Sequence, residues 1–321
     1  MPVEVIFGFV LDLLLGDPRW FPHPVKLMGK AISALERILR VLVPWERLAG
    51  IVLVIVIVGG SFLLTAVIVT VAYAVHWALG FIVASVAIWT TLAVRDLATH
   101  ANRVVLPLMG GDLTRARNNL ALIVGRDTQN LDEDEVVRAC VETVAENTVD
   151  GILSPLFFAF IGGAPLAMAF KAVSTLDSMV GHKTEQYIRF GWAAARLDDV
   201  ANWVPARICA VLMPLASLFC DHGFLSSWRT MWRDRRKHGS PNAGIPEAAM
   251  AGALRVQLGG VNYYDGEPHE KPTIGDPVRQ LTLDRIHEAV KIMYVTSLMA
   301  LFIGFLAALF VALPLPWLKP R

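Results

Sequence analysis

Apolar runs long enough to cross a bilayer alternate with polar stretches along this chain. A bilayer core of about 30 Å needs roughly 20 apolar residues in a helix. Residues 49–75, AGIVLVIVIVGGSFLLTAVIVTVAYAV, carry no charge and form the least ambiguous span. Residues 77–94, WALGFIVASVAIWTTLAV, follow after His76 alone, which predicts an antiparallel helical hairpin. Residues 289–313 end in the uncharged run TSLMALFIGFLAALFVAL, and Pro314, Pro316 and Trp317 beyond it read as an interfacial anchor.

Two windows are interrupted. Residues 151–170 are broken by Pro155, Gly162, Gly163 and Pro165, and residues 203–220 contain Arg207 and two prolines. Each is either a full span, kinked, or a re-entrant half-helix of the kind that often marks a site in membrane proteins. The first 15 residues are apolar but carry Glu4 and Asp12 and lack a basic start. They predict a short amphipathic or partly buried helix rather than a cleaved signal peptide. Residues 31–43 predict an amphipathic helix with Glu36, Arg37 and Arg40 on its polar face.

Lys and Arg concentrate in residues 1–48, with six, 95–150, with six, and 221–291, with ten. If every window spans, these three regions share one side, which the charge bias makes cytoplasmic, but 171–202 then faces outward with four basic residues. If both interrupted windows re-enter, everything from 95 to 288 is cytoplasmic. The expectation is an all-α, polytopic membrane bundle of three to five transmembrane helices. It forms one domain over 1–321, with polar loops 96–150, 171–202 and 221–288 supplying the site.

Composition agrees. Hydrophobic residues make up 55% of the 321, charged residues only 18%, and mean hydropathy is +0.52. Soluble domains carry about a quarter charged residues. A net charge of +1 excludes a nucleic-acid binder, which needs a basic surplus. The abundant apolar surface excludes intrinsic disorder. Cys140, Cys209 and Cys220 form neither a metal motif nor a disulfide framework. No Walker A loop, HExxH, GxSxG or Rossmann fingerprint occurs, and Gly181-His182-Lys183-Thr184 only imitates the first.

Several polar groups stand out. Asp132 and Glu135 fit a capping box, and Glu142, Glu146 and Asp150 follow at i, i+4 and i+8 on one helix face. Spacing alone favours a solvated acidic face; the functional alternative is a divalent-cation platform. Pro165 can start a helix that Gly181 ends, and on it Lys171, Ser174, Thr175 and Ser178 make one polar stripe. Lys171 is either a snorkelling anchor or a contact to phosphate or carboxylate, and the cost of burying polar groups in a membrane tilts the choice to function. Asp198, Asp199 and Asn202, followed by Arg207, are either an interfacial helix start or a second cation or amine site. The run RDRRKH at 233–238 needs no explanation beyond a positive-inside flank. The stretch after it suggests a short helix near Pro246 and a turn at Asn262–Gly266.

Four blocks together resemble one family: LDLLLGDPRWFPHPVKLMGK (11–30), ENTVDGILSPLFF (146–158), FKAVSTLDSMVGHKTEQYIRFGWAAARLDDVANWVPAR (170–207) and HGSPNAGIPEAAMAGALRVQLGG (238–260), followed by Asn262 and Tyr263. They are similar, in order and over most of the chain, to the adenosylcobinamide-phosphate synthases (CobD/CbiB) of cobalamin biosynthesis. The resemblance implies an ATP-dependent, amide-forming carbon–nitrogen ligase of the cytoplasmic membrane with its site on the cytoplasmic side. Its substrates would be the f-propionate of adenosylcobyric acid and aminopropanol or its phosphate, with Mg²⁺ required and an acyl phosphate as intermediate. Chemistry assigns roles within those blocks. Glu146, Asp150, Asp198 and Asp199 are candidate metal ligands, and Lys171, Asp177 and His182 candidate catalytic groups. Ser174, Thr175, Lys183, Arg207, Arg235, Arg236, Lys237 and Asn242 are candidate substrate or phosphate contacts. A permease suits broken apolar segments with internal polar residues, but the few spans and absent repeat symmetry stand against it; a non-catalytic sensor or scaffold is the third reading.

Overall fold

The computed structural model describes residues 2–312 apart from Arg19, Lys183, Asp221, His222 and Asp265. The expected anchor at 314–317 and the candidate contact Lys183 therefore lie outside the described residues. Thirteen helices and one β-hairpin are described.

Helix α1 (Pro2–Leu15) runs beside α4 (Trp77–Trp89), and α3 (Glu46–Val75) is the long uncharged span. The amphipathic α2 (Pro24–Leu42) starts at His23, whose Nδ1 accepts from the Val25 N–H, with Pro24 in the first turn. The window 77–94 is not one helix. Its 13-residue helix α4 reaches only about 20 Å. Thr90 and Thr91 turn their hydroxyls back onto the carbonyls of Ala87 and Ile88, and α5 (Val94–Met109) starts after a four-residue break, 90–93. The restart is capped from α1: the buried Asp12 Oδ2 accepts from the Val94 N–H at 2.8 Å and the Arg95 N–H at 3.3 Å. A helix N-terminus stabilises a carboxylate in that position.

Helix α6 (Leu113–Leu120) leads to α7 (Glu133–Thr148), whose capping box forms as the sequence predicts: Asp132 accepts from the Glu135 N–H and Glu135 from the Asp132 N–H. A wide π turn at Val149–Leu153 then carries Asp150 into α8 (Ser154–Val180). Such turns cluster at functional sites.

Helix α8 folds back on itself. Gly162 leaves helical geometry and Gly163 takes φ +65°, ψ −158°, a conformation open essentially to glycine alone. Phe158 and Phe170 stack with ring centroids 5.1 Å apart. In a straight helix those positions would stand about 18 Å apart. Helix α8 is thus a helical hairpin with its tip at Gly162–Gly163. Its returning arm buries Ala172, Leu176 and Val180 against Ala49, Leu53 and Ile57 of α3.

Helices α9 (Trp192–Ala201) and α10 (Trp203–Leu218) meet at 43°. Helix α11 (Phe224–Asp234) returns along α10, and α12 (Gly244–Leu254) packs on α11. Strands β1 (Leu258–Tyr264) and β2 (Glu267–Ile274) pair antiparallel, so Asn262 lies within a strand rather than a turn. Helix α13 (Leu283–Ala312) closes the bundle. Among the described residues four helical stretches are long and apolar enough to cross a membrane, or five if the α9–α10 pair is one span.

The two ends of the bundle are distinct. Tyr73 donates to Glu4 at 2.7 Å, so the first turn of α1 and the last turn of α3 share one end, and the α8 tip meets α13 where Gly304 faces the Phe160 ring. The polar segments gather at the opposite end. The reversal at Gly162–Gly163 brings 171–202 back to the side of the other polar loops.

Candidate active site

A polar cavity of about 700 Å³ opens at the mouth of the α8 hairpin. Glu142, Glu146 and Asp150 enter from α7 and the π turn, Asp177 from the returning arm, and Asp198 and Asp199 from α9. Lys237, His238 and Gly239 form one wall, and Glu247 of α12 stands behind them. Tyr264, Glu270 and Lys271 of the β-hairpin form the roof.

The α7 carboxylates do not form a solvated face. Glu142 is 6% exposed, between the guanidiniums of Arg126 and Arg138. Its Oε1, the oxygen facing Arg138, also accepts the Gly259 N–H at 2.8 Å. Arg126 also donates to Asn262, and Arg138 to the carbonyls of Gly259 and Val261. This ionic clamp fixes the base of the hairpin roof, so Glu142 serves structure and leaves Glu146 and Asp150 to the cavity.

His238, Glu146 and Glu247 converge. Nε2 of His238 lies 3.7 Å from a Glu146 oxygen and 3.8 Å from a Glu247 oxygen. One donor atom from each of the three lies within 4.8 Å of the others. Burial and the neighbouring Glu146 push the Glu247 carboxyl well above the usual carboxylate range, and burial holds His238 below its ordinary value. Two carboxylates sharing a buried site hold a proton between them or a cation instead. The donor set fits a divalent ion: the carboxylates suit Mg²⁺, which usually takes one or two together with substrate phosphates.

The acidic groups of α9 are tied to α8. Asp198 accepts from Asn202 at 3.0 Å, and Asn202 accepts from Ser154 Oγ at 2.5 Å, locking the α9 terminus to the first residue of the hairpin. Gly191 makes this possible: a Cβ there would stand 1.6 Å from the Val180 carbonyl oxygen. Asp199 pairs with Arg196 at 3.6 Å.

The remaining candidates are redistributed. His182 is exposed at the cavity rim and Lys237 lines the cavity, bridged to Asp234 at 2.9 Å. The polar stripe of α8 does not face this space. Thr175 donates to the Lys171 carbonyl at 2.7 Å and Ser178 to that of Ser174 at 2.8 Å, so two of its hydroxyls are spent on their own helix. Lys171 is set among the carboxylates of Asp17, Asp150, Asp12 and Asp96 and lines the cavity wall no more than Ser174 does. Arg207, Arg235 and Arg236 line a neighbouring cavity beyond His238. Asn242 is a buried spacer, accepting from Arg207 at 2.7 Å and donating to the Asp199 carbonyl at 2.8 Å.

Sequence reasoning missed Glu247, His238 and Lys271. The legible signal was Glu247, a lone carboxylate in the apolar run GIPEAAMAGAL, where every residue is buried. His238 looked like the end of a basic flank.

Comparison with known proteins is consistent over nearly the whole chain. The profile of the family described as CobD/Cbib protein matches residues 5–293. The chain is 52% identical to a cobalamin biosynthesis protein CobD of Geobacter metallireducens, over 90% of this chain and 91% of that one. It is 47% identical to the protein of the same name from Klebsiella pneumoniae, over 92% and 95%. To the cobalamin biosynthesis protein CbiB of Salmonella typhimurium it is 48% identical, over 92% and 93%. No solved structure matches. A family match over residues 5–293, with relatives 47–52% identical over at least nine-tenths of the chain, shows that the chain belongs to the CobD/CbiB family.

Proposed function

We propose that this protein acts in cobalamin biosynthesis as an ATP-dependent, amide-forming ligase of the cytoplasmic membrane, with its cavity on the cytoplasmic side. It would couple the f-propionate of adenosylcobyric acid to aminopropanol or its phosphate. The observation that carries the reading is the meeting of carboxylates from three separate polar segments with His238, Lys237 and Lys271 in one cavity.

Joining a carboxylate to an amine requires activation of the acid. Phosphoryl transfer to its oxygen gives an acyl phosphate and ADP; attack by the amine nitrogen then forms the C–N bond and releases phosphate and a proton. The spread negative charge of phosphoryl transfer calls for cationic groups in fixed positions. Lys237 and Lys271 supply fixed charge at the wall and roof. Glu146 and Glu247, with Asp150 and Asp198 nearby, would hold Mg²⁺, which when bound would neutralise phosphate oxygens. Asp177 and His182 line the same cavity and would accept the proton lost by the amine.

Purified protein supplied with adenosylcobyric acid, the amine and Mg·ATP should form the amide. Glu146→Gln and Asp150→Asn should lower the rate by roughly 100-fold or more while the protein stays folded in detergent. Full activity in both variants would remove the cavity from catalysis, and flux of the same compounds into liposomes without amide formation would favour a permease.

A further inference from the structure

A second cavity, of about 560 Å³, lies beside the first and shares the His238–Gly239–Ser240 wall with it. Its lining includes Arg196, Arg207, Arg235 and Arg236 and, among the described residues, no Asp or Glu. Guanidiniums stay charged at any physiological pH, so four positive charges face one space. Arg196 leans toward Asp199 and Arg207 is held by Asn242, but Arg235 and Arg236 have no carboxylate within 4.0 Å among the described residues. A cluster of four guanidiniums with a single carboxylate partner invites an anion.

The surroundings say which anion. Arg235 lies over the ring of Trp232, its Cζ 3.5 Å from the ring centre, and Arg207 over Trp203 at 4.5 Å. Both tryptophans are about half exposed, Trp203 at 54% and Trp232 at 51%. Beyond them runs a strip of exposed apolar residues, Val204, Val211 and Leu218 on α10 and Leu225 on α11. Helix α10 belongs to the bent pair apolar enough to enter a membrane. Tryptophan beside a basic group at the edge of an apolar face marks headgroup depth, where basic pockets between helices take anionic lipid. A soluble phosphate would fill the cavity and leave the strip bare; a phospholipid covers both.

We propose that this cavity binds the phosphate headgroup of an anionic phospholipid, whose acyl chains lie along the exposed face of α10. The bound headgroup would offset the four guanidiniums and brace the His238–Ser240 wall from behind. The proposal does not depend on which reaction the first cavity performs.

The test uses the full chain in nanodiscs of phosphatidylcholine mixed with phosphatidylglycerol, transferred to detergent and examined by native mass spectrometry. The wild type should retain phosphatidylglycerol in preference to phosphatidylcholine. The double variant Arg235→Gln/Arg236→Gln should weaken that preference roughly 30-fold, at about 1 kcal/mol per lost charge. Arg235→Lys/Arg236→Lys, which keeps the charges, should retain most of it and controls for folding. No preference in the wild type, or an unchanged one in the glutamine variant, would overturn the proposal. So would displacement of the retained lipid by millimolar inorganic phosphate, which would assign the cavity to a soluble phosphate.

Discussion

Glu142→Gln removes one charge from the clamp that holds the cavity roof. The carboxylate touches Arg126 and lies 3.8 Å from an Arg138 nitrogen, and all three side chains are under 10% exposed. At that separation and an effective dielectric constant of about 20, one pair is worth about 4 kcal/mol before desolvation. Breaking a buried pair by removing one partner typically costs 3–5 kcal/mol, because the remaining charge stays buried. Gln keeps an acceptor for the Gly259 N–H, so the loss is the charge and not the hydrogen bond. We expect a cost of about 3 kcal/mol, felt first where the clamp holds, at Gly259–Asn262 in β1. Hydrogen exchange in detergent reads this directly: β1 amides should exchange roughly 100-fold faster, with α3 and α13 little changed. The double variant Arg126→Gln/Glu142→Gln should cost less than the sum of the two single changes. Wild-type exchange in β1 of Glu142→Gln would refute the clamp and return Glu142 to a solvated acidic face.

Two further outcomes follow from local geometry. Gly163→Ala should destabilise by about 1–3 kcal/mol, because φ +65° with ψ −158° is closed to a Cβ, whereas Gly59→Ala on the open face of α3 should be neutral or stabilising by up to about 1 kcal/mol; thermal unfolding of the two in the same detergent makes the comparison. Asp234 is fully buried; burial alone would raise its pKa, but hydrogen bonds from Arg233, the Gly275 N–H and Lys237 more than offset this and hold it at about 2. A depressed pKa contributes stability that is fully present above the unfolded value near 3.9 and is lost as pH falls toward 2, so the wild type should lose on the order of 2 kcal/mol more than Asp234→Asn between pH 4.5 and 2 in a pH series of melting curves.

Most of the fold was legible because its lipid-facing parts obey one rule that acts residue by residue: an uncharged run of sufficient length becomes a span, as in α3 and α13. The breaks were legible as breaks, since Gly162, Gly163 and Pro165 announce that a helix cannot continue. Their outcome was not, because a kink and a reversal differ only in what the returning arm packs against, here Ala172 and Leu176 on α3. The same limit divides the candidate site. Glu146 and Asp150 could be paired by helical spacing, and Asp198 and Asp199 by adjacency, but nothing local links α7 to α12, a hundred residues on. Local rules also misdirected. The stripe of Lys171, Ser174 and Thr175 looked like a binding face because the hydroxyls align, yet Thr175 bonds to the preceding turn of its own helix, which a threonine in a helix always has within reach. The basic run at 233–238 read as one flank, but α11 ends at Asp234 and the chain then turns, sending Arg235 and Arg236 to one cavity and Lys237 to another, with His238 in the wall between them. The more reliable local signal was cost. A carboxylate such as Glu247 within eleven buried, mostly small residues is too expensive to keep unless something in the fold answers it, and the answer here is Glu146 and His238.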